Sequence, residues 1–403
     1  MRDGWVETTL GEVAEWFSGG TPKAGKPEFY DNGSIPWVVI SDMLNKEIYE
    51  TASQITPSAL KKIGGRLAPI DSVLISMYAT VGRPAIARIP VATNQAIAWS
   101  VPNTELVVPD FLLMVAESLE QEISSMARGA TQRNINRAML REFVFQLPPL
   151  VEQRRIVDVV ESVDNYITAL QARVGSARIA RNAVLHELLN AGGDGWVETA
   201  LGEVARIGGG KRLPKGTPWS STTTRHRYIR ATDIHDGHVD EAQLVYVPDE
   251  VWPTIQRFTV QTSDVIITIA GTIGQLAIIE ENLNGVNLTE NAAFIRCVSE
   301  SCIPDYILLL LSSYYGQSQI RALTVGTTQM KLGLERIASI KVVAPPLVEQ
   351  QRIVEIVSSM DDSIRATEQT IVEAKNLRSG LLSDLLSGEH EIPESYDKLL
   401  GAA

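Results

Sequence analysis

The sequence is short of several things at once. Of its 403 residues only two are cysteine, Cys297 and Cys302. Two thiols cannot supply a multi-bridge disulfide framework or a four-cysteine zinc site, and they are expected to be inert thiols in a reducing compartment. No stretch approaches 18 consecutive apolar residues, which excludes a membrane-spanning helix of ordinary length. The start, Met1-Arg2-Asp3-Gly4-Trp5, has none of the apolar run that a secretory signal needs, so a cytoplasmic protein without membrane contact is expected. Excess positive charge is lacking too: 36 Lys and Arg stand against 48 Asp and Glu, a net charge of −12. That balance excludes a protein that coats nucleic acid indiscriminately.

Catalytic signatures are equally scarce. Neither Gly-x-Ser-x-Gly nor His-Glu-x-x-His occurs. There is no Asp/Asn-Pro-Pro-aromatic motif of the kind amino-methyltransferases use, and the Pro-Asp pairs at 109, 248 and 304 lack the Glu-x-Lys of a nuclease. His235-Asp236-Gly237-His238 brings two of the five histidines together, but Asp-Gly between polar residues is first a turn signal and no second ligand pair accompanies it. The nearest phosphate loop, Gly20-Thr21-Pro22-Lys23-Ala24-Gly25-Lys26-Pro27, ends in proline where a Ser or Thr hydroxyl must reach the metal. Lys23 and Lys26 read instead as cations carried on a turn toward a phosphate backbone. The counterpart, Gly208 to Lys215, keeps the glycines and adds Lys211, Arg212 and Lys215 without the spacing. No catalytic residue, cofactor or metal site is expected in this chain.

What is present is a repeat. Gly4-Trp5-Val6-Glu7-Thr8-Thr9-Leu10-Gly11-Glu12-Val13-Ala14 returns from Gly195 to Ala205 with ten of eleven residues identical. Pro148-Pro149-Leu150-Val151-Glu152-Gln153-Arg154-Arg155-Ile156-Val157 returns from Pro345 to Val354 with nine of ten identical. The offset is 191 at the first island and 197 at the second, so the second insert is six residues longer. A fixed frame with two different inserts is the pattern of a two-headed reader. Residues 1–147 and 192–344 form the inserts, rich in short β-type runs such as Trp37-Val38-Val39-Ile40, Ser72-Val73-Leu74-Ile75 and Val265-Ile266-Ile267. Residues 148–191 and 345–390 read as long helices, and 391–403 as a tail. The fold class is α+β.

The helices carry a coiled-coil seam. Ile156, Val160, Val163, Ile167, Leu170, Val174 and Ala177 alternate steps of four and three, and Ile353, Val357, Met360, Ile364, Thr367, Ile371 and Ala374 take the same places 197 residues later. Arg181 and Arg378 also fall on the seam, where each is expected to snorkel or to pair with a facing carboxylate. A helix from about Glu152 to Asn190 would be roughly 58 Å long. Parallel packing would force the second insert to span that length, so antiparallel packing is expected.

Charge is segregated. Arg206 to Arg230 holds seven basic residues, Arg225 and Arg227 among them, and no acid. Met126 to Arg141 holds four arginines and no carboxylate. Within it, Gln132, Arg133 and Asn134 are the side chains suited to bidentate contact with adenine and guanine, or they shape a turn that faces solvent. The matched stretch retains Gln329, replaces Arg133 by Met330 and offers Lys331. A second pair of loops, Met77 to Arg83 and Ile269 to Gln275, reads as hairpin turns that present Arg83 in one copy and Gln275 in the other.

The two islands and the Gly-Gly-Thr-Pro loop at Gly19 to Pro22 resemble the specificity subunit of type I restriction–modification systems, and the resemblance covers nearly the whole chain. It implies two tandem pseudo-symmetric target-recognition domains joined by two long antiparallel coiled-coil helices. It further implies that each domain reads one half of a split duplex DNA target, and that the helices set the spacing and dock modification (methyltransferase) subunits, which restriction subunits join. S-adenosylmethionine, ATP and magnesium would then reside on the partner subunits. One departure stands out: the second Gly-Gly-Thr-Pro loop is Gly209-Gly210-Lys211-Arg212, which puts transfer of that loop's role in question. The rival readings are a coiled-coil adaptor with two protein-binding heads, and an enzyme resting on the imperfect phosphate loop.

Overall fold

The computed structural model describes residues 4–129, 134–235, 237–298, 302–326, 330–393 and 395–396. They fall into two compact units, one made of Met1–Gln171 with Gln369–Ala403, the other of Ala172–Glu368. Both divisions fall inside the long helices, Leu150–Asn190 and Leu347–Ser387. Each unit therefore holds one insert, or head, together with the first part of its own helix and the last part of the other.

In the first unit a five-stranded sheet runs in the order Ala14–Ser18, Ile97–Pro102, Val73–Ser76, Pro84–Ala87, Glu47–Ile48. Its central strand is buried throughout, and alternate residues serve opposite cores because side chains alternate along a strand. Val73 and Ile75 pack with Phe111, Leu112, Val115 and Ile123 of the helix Pro109–Gly129. Leu74 packs on the other side with Val38, Met43, Ile48 and Trp99. A small sheet of Gln54–Ile55, Ile35–Val38 and Ala92–Thr93 stands beside it.

The second unit repeats this plan. Its sheet runs Ala205–Gly209, Ala292–Cys297, Val265–Thr268, Leu276–Ile278. Val265 and Ile267 face the core that contains Tyr306, Leu310 and Ile320, and Ile266 faces Ile229, Val260 and Leu288. The sheet has four strands in place of five, and the helix that covers it differs too. The single helix Pro109–Gly129 becomes two, Pro304–Ser312 and Tyr314–Leu323, broken at Ser313, whose hydroxyl accepts from the Gly316 amide. Cys297 and Cys302 are joined as a disulfide, which corrects the expectation of two thiols. Cys297 ends a strand and the chain returns beside it within five residues, a proximity that composition does not reveal.

Each long helix follows a proline that accepts hydrogen bonds from the first turn, Pro149 or Pro346. Each ends before a glycine with positive φ, Gly192 at 63° or Gly388 at 75°. In the first unit Ile156 and Val160 share a core with Leu382 and Leu385, and Asp164 meets Arg378 at 2.6 Å, so the two segments run in opposite directions. In the second unit Leu185 shares a core with Ile353 and Val357, while Arg181 makes a bidentate contact of 2.9 Å with Asp361. The two seam arginines thus pair with facing carboxylates. Arg378 also reaches Glu117, at 3.0 Å, on the helix of its head.

Candidate nucleic-acid interface

The repeated islands meet. Val6–Thr9 pairs antiparallel with Val144–Leu147, and Val197–Ala200 pairs in the same register with Lys341–Ala344. The Trp5 indole donates to Glu152 at 2.9 Å, tying the first island to the second. The amide of Gln153 is fully buried and makes three bonds of 2.8 Å: its oxygen accepts from Val108 N–H, and its nitrogen donates to Leu106 O and Pro148 O. Gln350 repeats this, accepting from Ile303 N–H at 3.0 Å and donating to Pro345 O at 2.8 Å. The near-identity of the islands is therefore explained by one joint, used twice, where a head begins, ends and passes into its helix.

Beyond the joint, backbone bonds string the candidate segments of each head into one strip. In the first head Gly20 N–H donates to Thr93 O, Met77 N–H to Ala96 O, and Ile135 N–H to Met77 O. In the second, Lys211 donates to Leu288 O, Ile269 to Asn291 O, and Leu332 to Ile269 O. The glycine loop keeps its backbone role in both copies despite losing Thr-Pro in the second. A Cβ on Gly19 would lie 1.9 Å from Thr93 O, and one on Gly210 would lie 2.1 Å from Thr289 O; only glycine permits that approach.

The strip brings Lys23, Lys26, Arg83 and Asn134 to one head, and Lys211, Arg212, Lys215, Gln275 and Lys331 to the other. Lys23 and Lys215 are exposed, and Arg83, Asn134 and Gln275 are half-buried. Lys26 sits 3.3 Å from Glu28, and Lys211 lies over the Phe258 ring at 5.7 Å. Arg225 is exposed on the arm leading to Arg227. Arg227 itself is engaged within the head, 3.1 Å from Glu241 and bonded to the Asn282 carbonyl. Gln132, Arg133 and Gln329 lie outside the described residues.

Sequence reasoning missed part of the strip. In the second head Arg212, Lys215, Trp219, Tyr228, Arg230 and Glu290 line a cavity of about 710 Å³. Burial pushes the Tyr228 hydroxyl up to about 12, so at neutral pH it remains a donor to Lys211 O, at 2.9 Å. Among the described residues no group of three or more His, Cys, Asp or Glu is placed to hold a metal ion, and no helix is long and apolar enough to cross a membrane.

The profile of the type I restriction modification DNA specificity domain matches residues 2–175 and again 193–376. The chain is 22% identical over 433 residues to the type I restriction enzyme MjaIX specificity subunit of Methanocaldococcus jannaschii, covering 97% of this chain and 94% of that protein. It is 30% identical over 177 residues to the EcoR124I/EcoR124II specificity subunit of Escherichia coli, 42% of this chain and 44% of that one. A solved chain concerned with assembly and conformational transition of the type I R-M system shares the fold, with a TM-score of 0.63 at 20% identity over 96% of this chain and 98% of that chain. The chain belongs to the type I restriction–modification specificity-subunit family and carries two copies of its DNA specificity domain.

Proposed function

We propose that each head reads one half of an asymmetric, bipartite duplex target, that the paired helices hold the interval between the halves, and that the chain docks methyltransferase subunits, which restriction subunits join. Methyl transfer and cleavage, with S-adenosylmethionine, ATP and magnesium, belong to those partners. The observation that carries this reading is the strip: one backbone arrangement in both heads, with Arg83 exchanged for Gln275 and Asn134 for Lys331 at matched positions. Cations would fix register on phosphates, and a few polar side chains would read base edges.

The test is selection from random duplexes by the chain assembled with its methyltransferase partner. Two enriched blocks at constant spacing are expected. Binding that ignores salt and duplex structure would instead favour the adaptor reading. Changing Lys23 and Lys26 together to alanine should weaken binding evenly across sequences. It should also reduce the slope of log K against log salt by about 0.9 for each phosphate that is no longer neutralised, with the enriched motif unchanged.

A further inference from the structure

In each head the glycine loop meets the turn before the next sheet strand through one side-chain pair. In the first head the Thr21 hydroxyl bonds Gln95 Oε1. In the second, Arg212 Nε lies 3.1 Å from Glu290 Oε1. Backbone bonds make the positions equivalent. Gly20 and Lys211, each one residue before the first member, donate to Thr93 O and Leu288 O, each two residues before the second member. An aromatic donor braces the same carbonyl in both: Trp37 Nε1 reaches Gly20 O at 3.2 Å and Tyr228 OH reaches Lys211 O at 2.9 Å. Thr21, Gln95 and Arg212 are exposed and Glu290 is half-buried. A neutral pair in one head thus occupies the places of a charged pair in the other, and the charged pair lies on the wall of the cavity that also holds Lys215, Trp219 and Asn291.

We infer that Thr21–Gln95 and Arg212–Glu290 are equivalent base-reading pairs, one in each head, selecting different base pairs; the inference rests on the DNA-reading function proposed above. A guanidinium fits the O6 and N7 acceptors of guanine and a carboxylate accepts from the cytosine amino group, so Arg212–Glu290 suits G·C. A glutamine amide fits N6 and N7 of adenine and a threonine methyl packs on the thymine methyl, so Thr21–Gln95 suits A·T. The free protein keeps each pair satisfied internally, and opening a surface ion pair costs little. On DNA each side chain exchanges a partner rather than losing one.

The test uses the full chain assembled with its methyltransferase partner, reading which duplexes of a random library become modified. Three chains are compared: wild type, the Thr21→Arg/Gln95→Glu variant and the Arg212→Thr/Glu290→Gln variant. The first exchange should move one position of one half-site from A·T toward G·C, on the order of 10- to 100-fold in preference. The reciprocal exchange should move one position of the other half-site the opposite way, with all remaining positions held. A wild-type motif that neither exchange alters overturns the pair assignment alone, and a wild-type chain that enriches no two-block motif overturns the DNA-reading proposal with it. Where a double exchange prevents assembly, Gln95→Asn and Glu290→Asp take its place. Each should blunt the preference at its one position, and unchanged preference there would again overturn the assignment.

Discussion

Gln153→Ala should lower the unfolding free energy of the first unit by about 2–5 kcal/mol, because it strands one buried and two partly buried backbone groups, at roughly 1–3 kcal/mol for each that water does not reach. Those groups are Val108 N–H, Leu106 O and Pro148 O, all held by one amide that solvent does not reach. A domain is stable by only about 5–15 kcal/mol, so the loss is a large fraction of the total. Denaturant unfolding measures it, and hydrogen exchange at the Val108 amide localises it. A loss below about 1 kcal/mol with that amide still protected would show that Gln153 does not fasten the head to its helix. Gln153→Glu gives a second check. It keeps an acceptor for Val108 but sets a carboxylate against two carbonyl oxygens, so its folded-state pKa should rise above the usual value near 4.3. The folded state then binds the extra proton, and stability should recover as pH falls through that raised pKa.

Arg296→Ala should cost the second unit a similar amount, about 3–5 kcal/mol, because it leaves a buried carboxylate unpaired. Asp264 is fully buried and takes both its guanidinium bonds from Arg296, each at 2.6 Å, with Gln261 N–H as a further donor at 2.7 Å. Those hydrogen bonds hold the Arg296 guanidinium above its ordinary value, and burial works against them. The first unit shows an uncharged solution at the same two places, Ser72 and Val101. Asp264→Ser/Arg296→Val should therefore be markedly more stable than Arg296→Ala alone, since removing both charges avoids the stranded one. If the double variant is no better than the single, burial of the lone carboxylate is not the source of the loss. Thermal unfolding of the three chains decides it.

The long helices were legible because a 3.5-residue apolar repeat is local information: Ile156, Val160, Ile167 and Leu170 lie buried where the repeat puts them. The seam arginines were legible as residues that would either snorkel or pair with a carboxylate, but Asp361 and Asp164 could be named only once the helices were set against each other. The joint was not legible. It pairs Val6 with Leu147 and Trp5 with Glu152, and nothing local in either island announces the other. The lysines of the glycine loops were legible as cations carried on turns, Lys331 as the counterpart of Asn134, and Arg83 and Gln275 as the residues exchanged at matched places of two hairpin turns. That they share one strip depends on backbone bonds across the sheet edge.

Gln95 and Glu290 were missed for a different reason. The copies slip between the islands, from an offset of 191 at Trp37 and Tyr228 to 195 at Thr93 and Leu288. Counting along the sequence from either island therefore pairs the wrong residues. Only hydrogen bonds that recur in both heads restore the correspondence. Arg227 illustrates the opposite limit, since a basic run does not reveal which of its members Glu241 and Asn282 have already taken.

The opposed packing of the long helices has a consequence for synthesis. In the first unit the early part of Leu150–Asn190 shares its core with Leu382 and Leu385. A ribosome moving at about 5–20 residues per second needs roughly 10–40 s to travel between those segments. For that interval the first head is complete in sequence while Ile156 and Val160 lack the apolar cover that Leu382 and Leu385 supply. The nascent chain thus passes through a stage with an uncovered seam, and its length is set by how long the second head takes to make.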